Sequence, residues 1–371
     1  MAQKSTLYEA VNMIQLGAMP LPQFVKLHPE AKPTAEEIGA LKAYLAPWTP
    51  LSNSPATVAW GETKAKIGPS SAENEKKAAL SLAAVPPELN GLPFDPDFVN
   101  WKPISTTDRG DNNTFRFVLG NEIAAQAAQS GHIAPWPDGT RFAKIAWQQE
   151  TGSDGLVHPG KFVQVELMVK DAGRFQNTEG WNWGRWRGLD LKPYGKDAQF
   201  VTECTGCHRP VRGNDYIYTL PITHARVPGI EIVNNGAAAL PANLPYRPLA
   251  WNAITMYVDP ASRTTATLYG NGAAIQAAHA RNSDAADMAA KYPAGAVLAL
   301  VAWNQRDDPH WFGARIPATP FSVEFIQLAA SPNATSYRRF AGAGLIEDRP
   351  TSATAAQRTS FILSLSPAQL P

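Results

Sequence analysis

Cysteine is scarce in this sequence: two in 371 residues, both in the first 210. A zinc site built on them would have to recruit distant histidines to reach four soft ligands. An excess of charge of either sign is missing too. The net charge of +1 gives no reason to expect nucleic acid. Apolar runs are too short to cross a bilayer as a helix. With 44% hydrophobic and only 18% charged residues, the chain can bury sizeable cores, and its length favours two or three domains.

What the two cysteines do form is Cys204-Thr205-Gly206-Cys207-His208. A thioredoxin-like dithiol would want a helix start within a βαβ unit, which is not visible around this segment. Two thiols three residues apart with a histidine after the second are the pattern of c-type haem attachment. Each sulfur can form a thioether to a haem vinyl group, which leaves the imidazole of His208 as axial ligand to the iron. The expectation is one covalent haem c, with redox or gas chemistry at iron. Haem is joined to such a motif outside the cytoplasm, while Met1-Ala2-Gln3-Lys4 begins no recognisable signal peptide. We therefore expect an exported, periplasmic protein.

The segment 1–50 reads as helical. Tyr8, Val11, Met13 and Ile14 have helical spacing, and Thr34-Ala35-Glu36-Glu37 opens a second helix as a capping box. The stretch 51–90, rich in Pro, Ser, Ala and Lys, reads as a linker or wrapping arm.

Beyond it lies an internal repeat. Leu92-Pro93-Phe94 and Trp101 return as Leu244-Pro245-Tyr246 and Trp251. Leu119-Gly120-Asn121 and the alanine-rich run after it return as Tyr269-Gly270-Asn271 and its run. Ala143, Ala146, Trp147 and Gln149 return as Ala299, Ala302, Trp303 and Gln305, and Val165-Glu166 as Val323-Glu324. Each copy has short β-rich runs (Thr114 to Leu119, Phe142 to Trp147, Phe162 to Val169) around one helix, Asn121 to Ser130. The fold class expected is α+β, mainly antiparallel β: two tandem β domains, 91–225 and 240–371, each with one or two packed helices, after a small helical N-terminal segment. Continuing the repeat sets Ile362, Leu365 and Ser366 opposite Cys204, Cys207 and His208, so the second copy cannot hold haem through thioethers.

The first copy resembles the cytochrome P-460 family. The resemblance runs from about Phe98 to Pro221, through Trp101-Lys102-Pro103, Pro135-Trp136-Pro137-Asp138-Gly139-Thr140, Ala143-Lys144-Ile145-Ala146-Trp147, Leu191-Lys192-Pro193-Tyr194-Gly195 and the CTGCH block. It implies a mainly β haem domain with five-coordinate iron and, in the family's enzymes, hydroxylamine oxidation with nitric oxide chemistry. It also implies a lysine bonded to the macrocycle, which carries over to Lys144. This amine lies in a strand between Ala143 and Ile145 and is replaced by Leu300 in the second copy, although a lysine snorkelling from the sheet to water fits the same pattern. The family's acid/base residue falls shortly before the attachment motif, where Asp197, Gln199 and Glu203 stand; Gln199 cannot serve as a base.

Trp183, with Trp181, Trp186, Trp136 and Trp147, is a candidate haem wall, and Arg185 and Arg187 are candidates for haem propionates. For Trp147 the recurrence of Trp303 favours ordinary core packing. Because Glu166 recurs as Glu324 without haem, it reads as support for the fold. Met19-Pro20-Leu21-Pro22 through His28-Pro29 looks like the end of a haem-binding cytochrome domain, and Met19 or His28 is a candidate sixth ligand. The partners expected are a small molecule at iron and a redox protein such as a soluble cytochrome. Two function classes stay open: a haem oxidoreductase acting on hydroxylamine or nitrogen oxides, and an electron-transfer or gas-binding cytochrome without turnover.

Overall fold

A computed structural model of the chain describes residues 2–45, 82–223, 234–283, 292–330, 335–342 and 344–371. Most of the expected linker, 51–81, lies outside the described residues.

The N-terminal segment forms α1 (Ala2–Gln15), α2 (Pro22–Leu27) and α3 (Ala35–Leu45). The capping box at α3 forms as its sequence requires: the Glu37 amide donates to Thr34 Oγ1 (3.2 Å) and the Thr34 amide to Glu37 Oε2 (2.8 Å). Tyr8, Val11 and Leu45 bury a small core against Phe312.

The first repeat builds β1 (Lys102–Arg109), β2 (Thr114–Gly120), α4 (Glu122–Ser130), β3 (Arg141–Thr151), β4 (Val157–Lys170), β5 (Trp181–Arg187), β6 (Lys192–Pro193) and α5 (Phe200–His208). The second builds β7 (Asn252–Asp259), β8 (Thr264–Gly270), α6 (Gly272–Ser283), β9 (Val297–Asp308), β10 (Trp311–Gln327), β11 (Ser336–Ala341), β12 (Ile346–Asp348) and α7 (Ser352–Ser364). The two are the same unit down to single bonds. Asn121 Oδ1 accepts from the Ala124 and Arg141 amides while its Nδ2 donates to Gly139 O; Asn271 does the same with Ala274, Val297 and Gly295. Gly120 and Gly270 are required because a Cβ there would lie 2.7 and 2.8 Å from those of Ala124 and Ala274.

Strands β1-β2-β3-β4-β7-β8-β9-β10 pair in that order, and β10 pairs back to β1, so four strands from each copy close one eight-stranded antiparallel barrel. The seams between copies are short: Val157 opposite Val258 on one side, Asp108 opposite Arg315 and Arg109 opposite Ala314 on the other. Strands β5-β6 branch from β4 as β11-β12 branch from β10.

Each copy also sends its tail into the other's core. The Ile222 amide donates to Ile104 O, and its side chain joins the second copy's core with Val301, Trp303 and Phe325. The Ala368 amide donates to Ile254 O and packs with Phe117, Trp147 and Phe162, while Trp147 Nε1 donates to Gln369 O (2.6 Å). Each large side chain buried in these cores contributes about 1.5–3 kcal/mol. The exchange makes the two copies interdependent.

Candidate functional site

Helix α5 carries the CTGCH motif. Asp197 Oδ1 accepts from the Gln199 amide (2.8 Å) at its start, Phe200 and Thr205 are buried, and Thr205 Oγ1 donates to Val201 O (2.9 Å). Helical spacing then puts Cys204, Cys207 and His208 on one side, at i, i+3 and i+4. Both cysteines are free thiols, and burial pushes that of Cys204 up to about 11.

His208 is held by the turn that follows. Its Nδ1 lies 2.7 Å from Tyr216 O, so the ring's proton sits on Nδ1 and the Nε2 lone pair remains for a metal. Burial pulls the imidazole down to about 4, which keeps it neutral. The turn is strained: Asp215 and Tyr216 have φ of 46° and 66°, a left-handed pair costing roughly 1–2 kcal/mol per residue. A buried ion pair compensates. Asp215 Oδ1 lies 2.7 Å from Lys170 Nζ, and its carboxylate also accepts from the Trp136 amide (2.9 Å) and Trp181 Nε1 (3.3 Å).

Lys144, Glu166 and Arg185 stand in one row across β3, β4 and β5. Lys144 pairs with Glu166, whose Oε1 lies 2.8 Å from Arg185 Nε in an ion pair at an angle outside hydrogen-bond geometry. Burial, with Arg116 and Arg185 adding to it, brings Lys144 down to about 8 despite Glu166. Burial pushes Glu166 upward, but Lys144 and Arg185 outweigh it and hold the carboxyl at about 2. Arg116, brought to about 9 chiefly by burial, adds a third cation around this one carboxylate. The charges of Lys144, Glu166 and Arg185 are felt at Cys204, Cys207 and His208. Arg116 Nε and Trp183 Nε1 are buried without a hydrogen-bond partner.

The structure thus brings Lys144, Arg185 and Trp183 to the motif, with the Trp183 ring 6.1 Å from that of His208. Trp136 and Trp181 pack with Phe142 in the cluster that also takes Trp183 and Cys204, whereas Trp147 and Trp186 belong to the core on the other face of the sheet. Asp197 and Gln199 are exposed. Glu203 is exposed as well and accepts from Tyr194 Oη (3.2 Å). Arg187 lies over the Tyr194 ring at 4.6 Å and is exposed. Met19 is 50% exposed; His28 stacks on Phe24 and sits 3.3 Å from Glu30.

Sequence reasoning missed Arg116, the Lys170–Asp215 pair and Tyr218. The repeat held a signal for the first two, since Ala266 and Leu328 occupy the equivalent positions. It also undervalued Glu166, which is central to the charged row; Glu324 instead binds Arg358 of α7 and Tyr337. In the second copy Ala266, Leu300, Ile362 and Leu365, the counterparts of Arg116, Lys144, Cys204 and Cys207, belong to one apolar cluster.

Residues 96–219 match the family model for cytochrome P-460. This part of the chain is a cytochrome P-460 domain. No curated protein matches the chain. The family carries a haem cofactor, and the residues of this cytochrome P-460 domain fit one. Cys204, Cys207 and a neutral His208 with Nδ1 occupied would hold it, and the unpartnered donors of Arg116 and Trp183 suit its carboxylates. Among the described residues, no three His, Cys, Asp or Glu side chains gather as a metal-ion site. No described helix is long and apolar enough to cross a membrane.

Proposed function

We propose that the protein is a monohaem c-type cytochrome, attached through Cys204 and Cys207 and ligated by His208, that oxidises hydroxylamine or processes nitric oxide and related small nitrogen oxides. When bound, the haem supplies an iron that takes up small ligands and passes electrons. The observation that carries this is the bond from His208 Nδ1 to Tyr216 O, on a helix face shared with two free thiols. Tyr216 orients the imidazole and raises its basicity as a ligand. Lys144, with a pKa near 8, has an appreciable neutral fraction at physiological pH and is the amine positioned to bond the macrocycle. Glu166 is the proton acceptor nearest that amine, and Arg116 and Arg185 keep it ionised. Thioether attachment at the CTGCH motif supports an exported, periplasmic setting for this reading, with a soluble redox protein as electron acceptor.

A second reading, gas binding or electron transfer without turnover, is favoured by Gln199: an exposed amide stands where the family's base would be, and it moves no proton. Production in a host that matures c-type cytochromes tests both. The haem reading requires the protein's mass to include one haem after denaturation. High-spin ferric spectra, nitric oxide binding and hydroxylamine-dependent reduction of an artificial acceptor support the first function. Binding with no turnover selects the second, and a colourless product removes both.

A further inference from the structure

The second copy reaches the site through the β9–β10 hairpin, and the contact is a file of rings. The Tyr218 ring meets His208 edge-on at 5.2 Å, and Trp311, first residue of β10, meets Tyr218 edge-on at 5.5 Å. Both ends of Tyr218 are fixed: its Oη donates to Cys207 O (2.6 Å), and its carbonyl lies 2.7 Å from His310 Nδ1. Trp311 is fixed as well. Its Nε1 donates to Asp111 Oδ2 (3.2 Å), and the Arg109 guanidinium, itself paired with Asp111, lies 4.3 Å from the ring centre. Trp183, the other ring beside His208, is 4% exposed and leads inward, whereas Trp311 is half-buried and reaches solvent. The equivalent hairpin of the first copy, Thr151 to Val157, carries no aromatic residue.

We propose that Tyr218 and Trp311 form the electron route between His208 and a soluble one-electron carrier protein, which docks over Trp311 on the haemless copy. The inference rests on the haem reading above. With haem held by Cys204, Cys207 and His208, the reduced group would give up one electron and the carrier's metal centre would take it up, so that one is oxidised and the other reduced by one. Tyr218 moves no proton, because its hydroxyl stays bonded to Cys207 O. The Arg109 cation over the Trp311 face offsets the Asp111 carboxylate at its Nε1, and the indole bridges the gap without itself being oxidised. A small contact centred on one aromatic suits the brief encounters of redox partners.

The test compares reoxidation of the dithionite-reduced holoprotein by a soluble monohaem cytochrome c and by ferricyanide, in stopped flow. Trp311→Leu lowers the ratio of the cytochrome rate to the ferricyanide rate about tenfold, the scale of losing one anchoring aromatic from a contact. Trp311→Phe, which keeps a ring, restores most of that ratio. Independently of any rate, the indole N–H resonance of Trp311, assigned by its loss in Trp311→Phe, shifts when oxidised cytochrome c is added. A wild-type ratio in Trp311→Leu, or an unmoved resonance, overturns the route. Haem missing from the wild-type protein overturns the parent reading instead.

Discussion

One unit, folded twice, has come to two different ends. Where the first copy sets Arg116, Lys144, Glu166 and Arg185 beside two thiols and an imidazole, the second has Ala266, Leu300, Ile362 and Leu365 in an apolar core. The glutamate survives in both, but it answers to Lys144 and Arg185 in one and to Arg358 and Tyr337 in the other. A conserved backbone with identical caps therefore does not determine a cofactor site. A few inward positions on β2, β3 and β4 and the face of one helix decide it.

The difference is broken most completely by Cys204→Ala with Cys207→Ala, which leaves the first copy without thiols, like the second. Under the proposed attachment, covalent haem is then lost, seen as absence of the haem mass on the denatured chain. Asp215→Asn comes next. It leaves the buried ammonium of Lys170 without its ion-pair partner, costs about 3–5 kcal/mol in urea unfolding, and loosens the turn that bears Tyr216 O. The reduction potential of the holoprotein shifts with it, which a purely structural loss elsewhere would not produce. In the second copy, Ile362→Ala opens a cavity in the apolar core and costs about 2–5 kcal/mol, with the haem spectrum intact.

The smallest and sharpest change is Lys144→Leu, which gives the first copy the residue of the second. It removes the chief attraction holding Glu166 down, so the carboxyl rises from about 2. Because a depressed carboxyl stabilises the fold above its ordinary value near 4.5 and loses that contribution as pH falls through its folded value, the wild type weakens between about pH 4.5 and 2. Urea midpoints measured down that range fall less steeply in Lys144→Leu, by about 1–2 kcal/mol over the window. A parallel pair of profiles would show that Lys144 does not hold Glu166.

Much of this was legible in the chain. The Asn121 cap and the Thr34 capping box are local and appear as their residues dictate; the alternation expected from Phe162 to Val169 holds from Val165 on, and a bulge after Phe162 brings that ring to the same core as Val165. The attachment motif is local as well. What stayed hidden depends on pairs far apart in sequence. Lys170 meets Asp215 across 45 residues, and Trp311 reaches Tyr218 from the other copy. Nor did the order of strands announce that the copies would share one barrel, since the seams consist of three residue pairs with no pattern of their own. Asp197 and Gln199 drew notice by proximity in sequence to Cys204, yet the start of α5 turns both to solvent.

The closure of the ring has a consequence for how such a molecule is cut or inherited. A chain ending before β7 would leave the outer sides of β1 and β4 with unsatisfied amides and carbonyls, and a sister molecule offers the matching pair. Halves of this protein should therefore self-associate, and fusing two of them end to end makes that partnership permanent while releasing one member from the duty of carrying a cofactor.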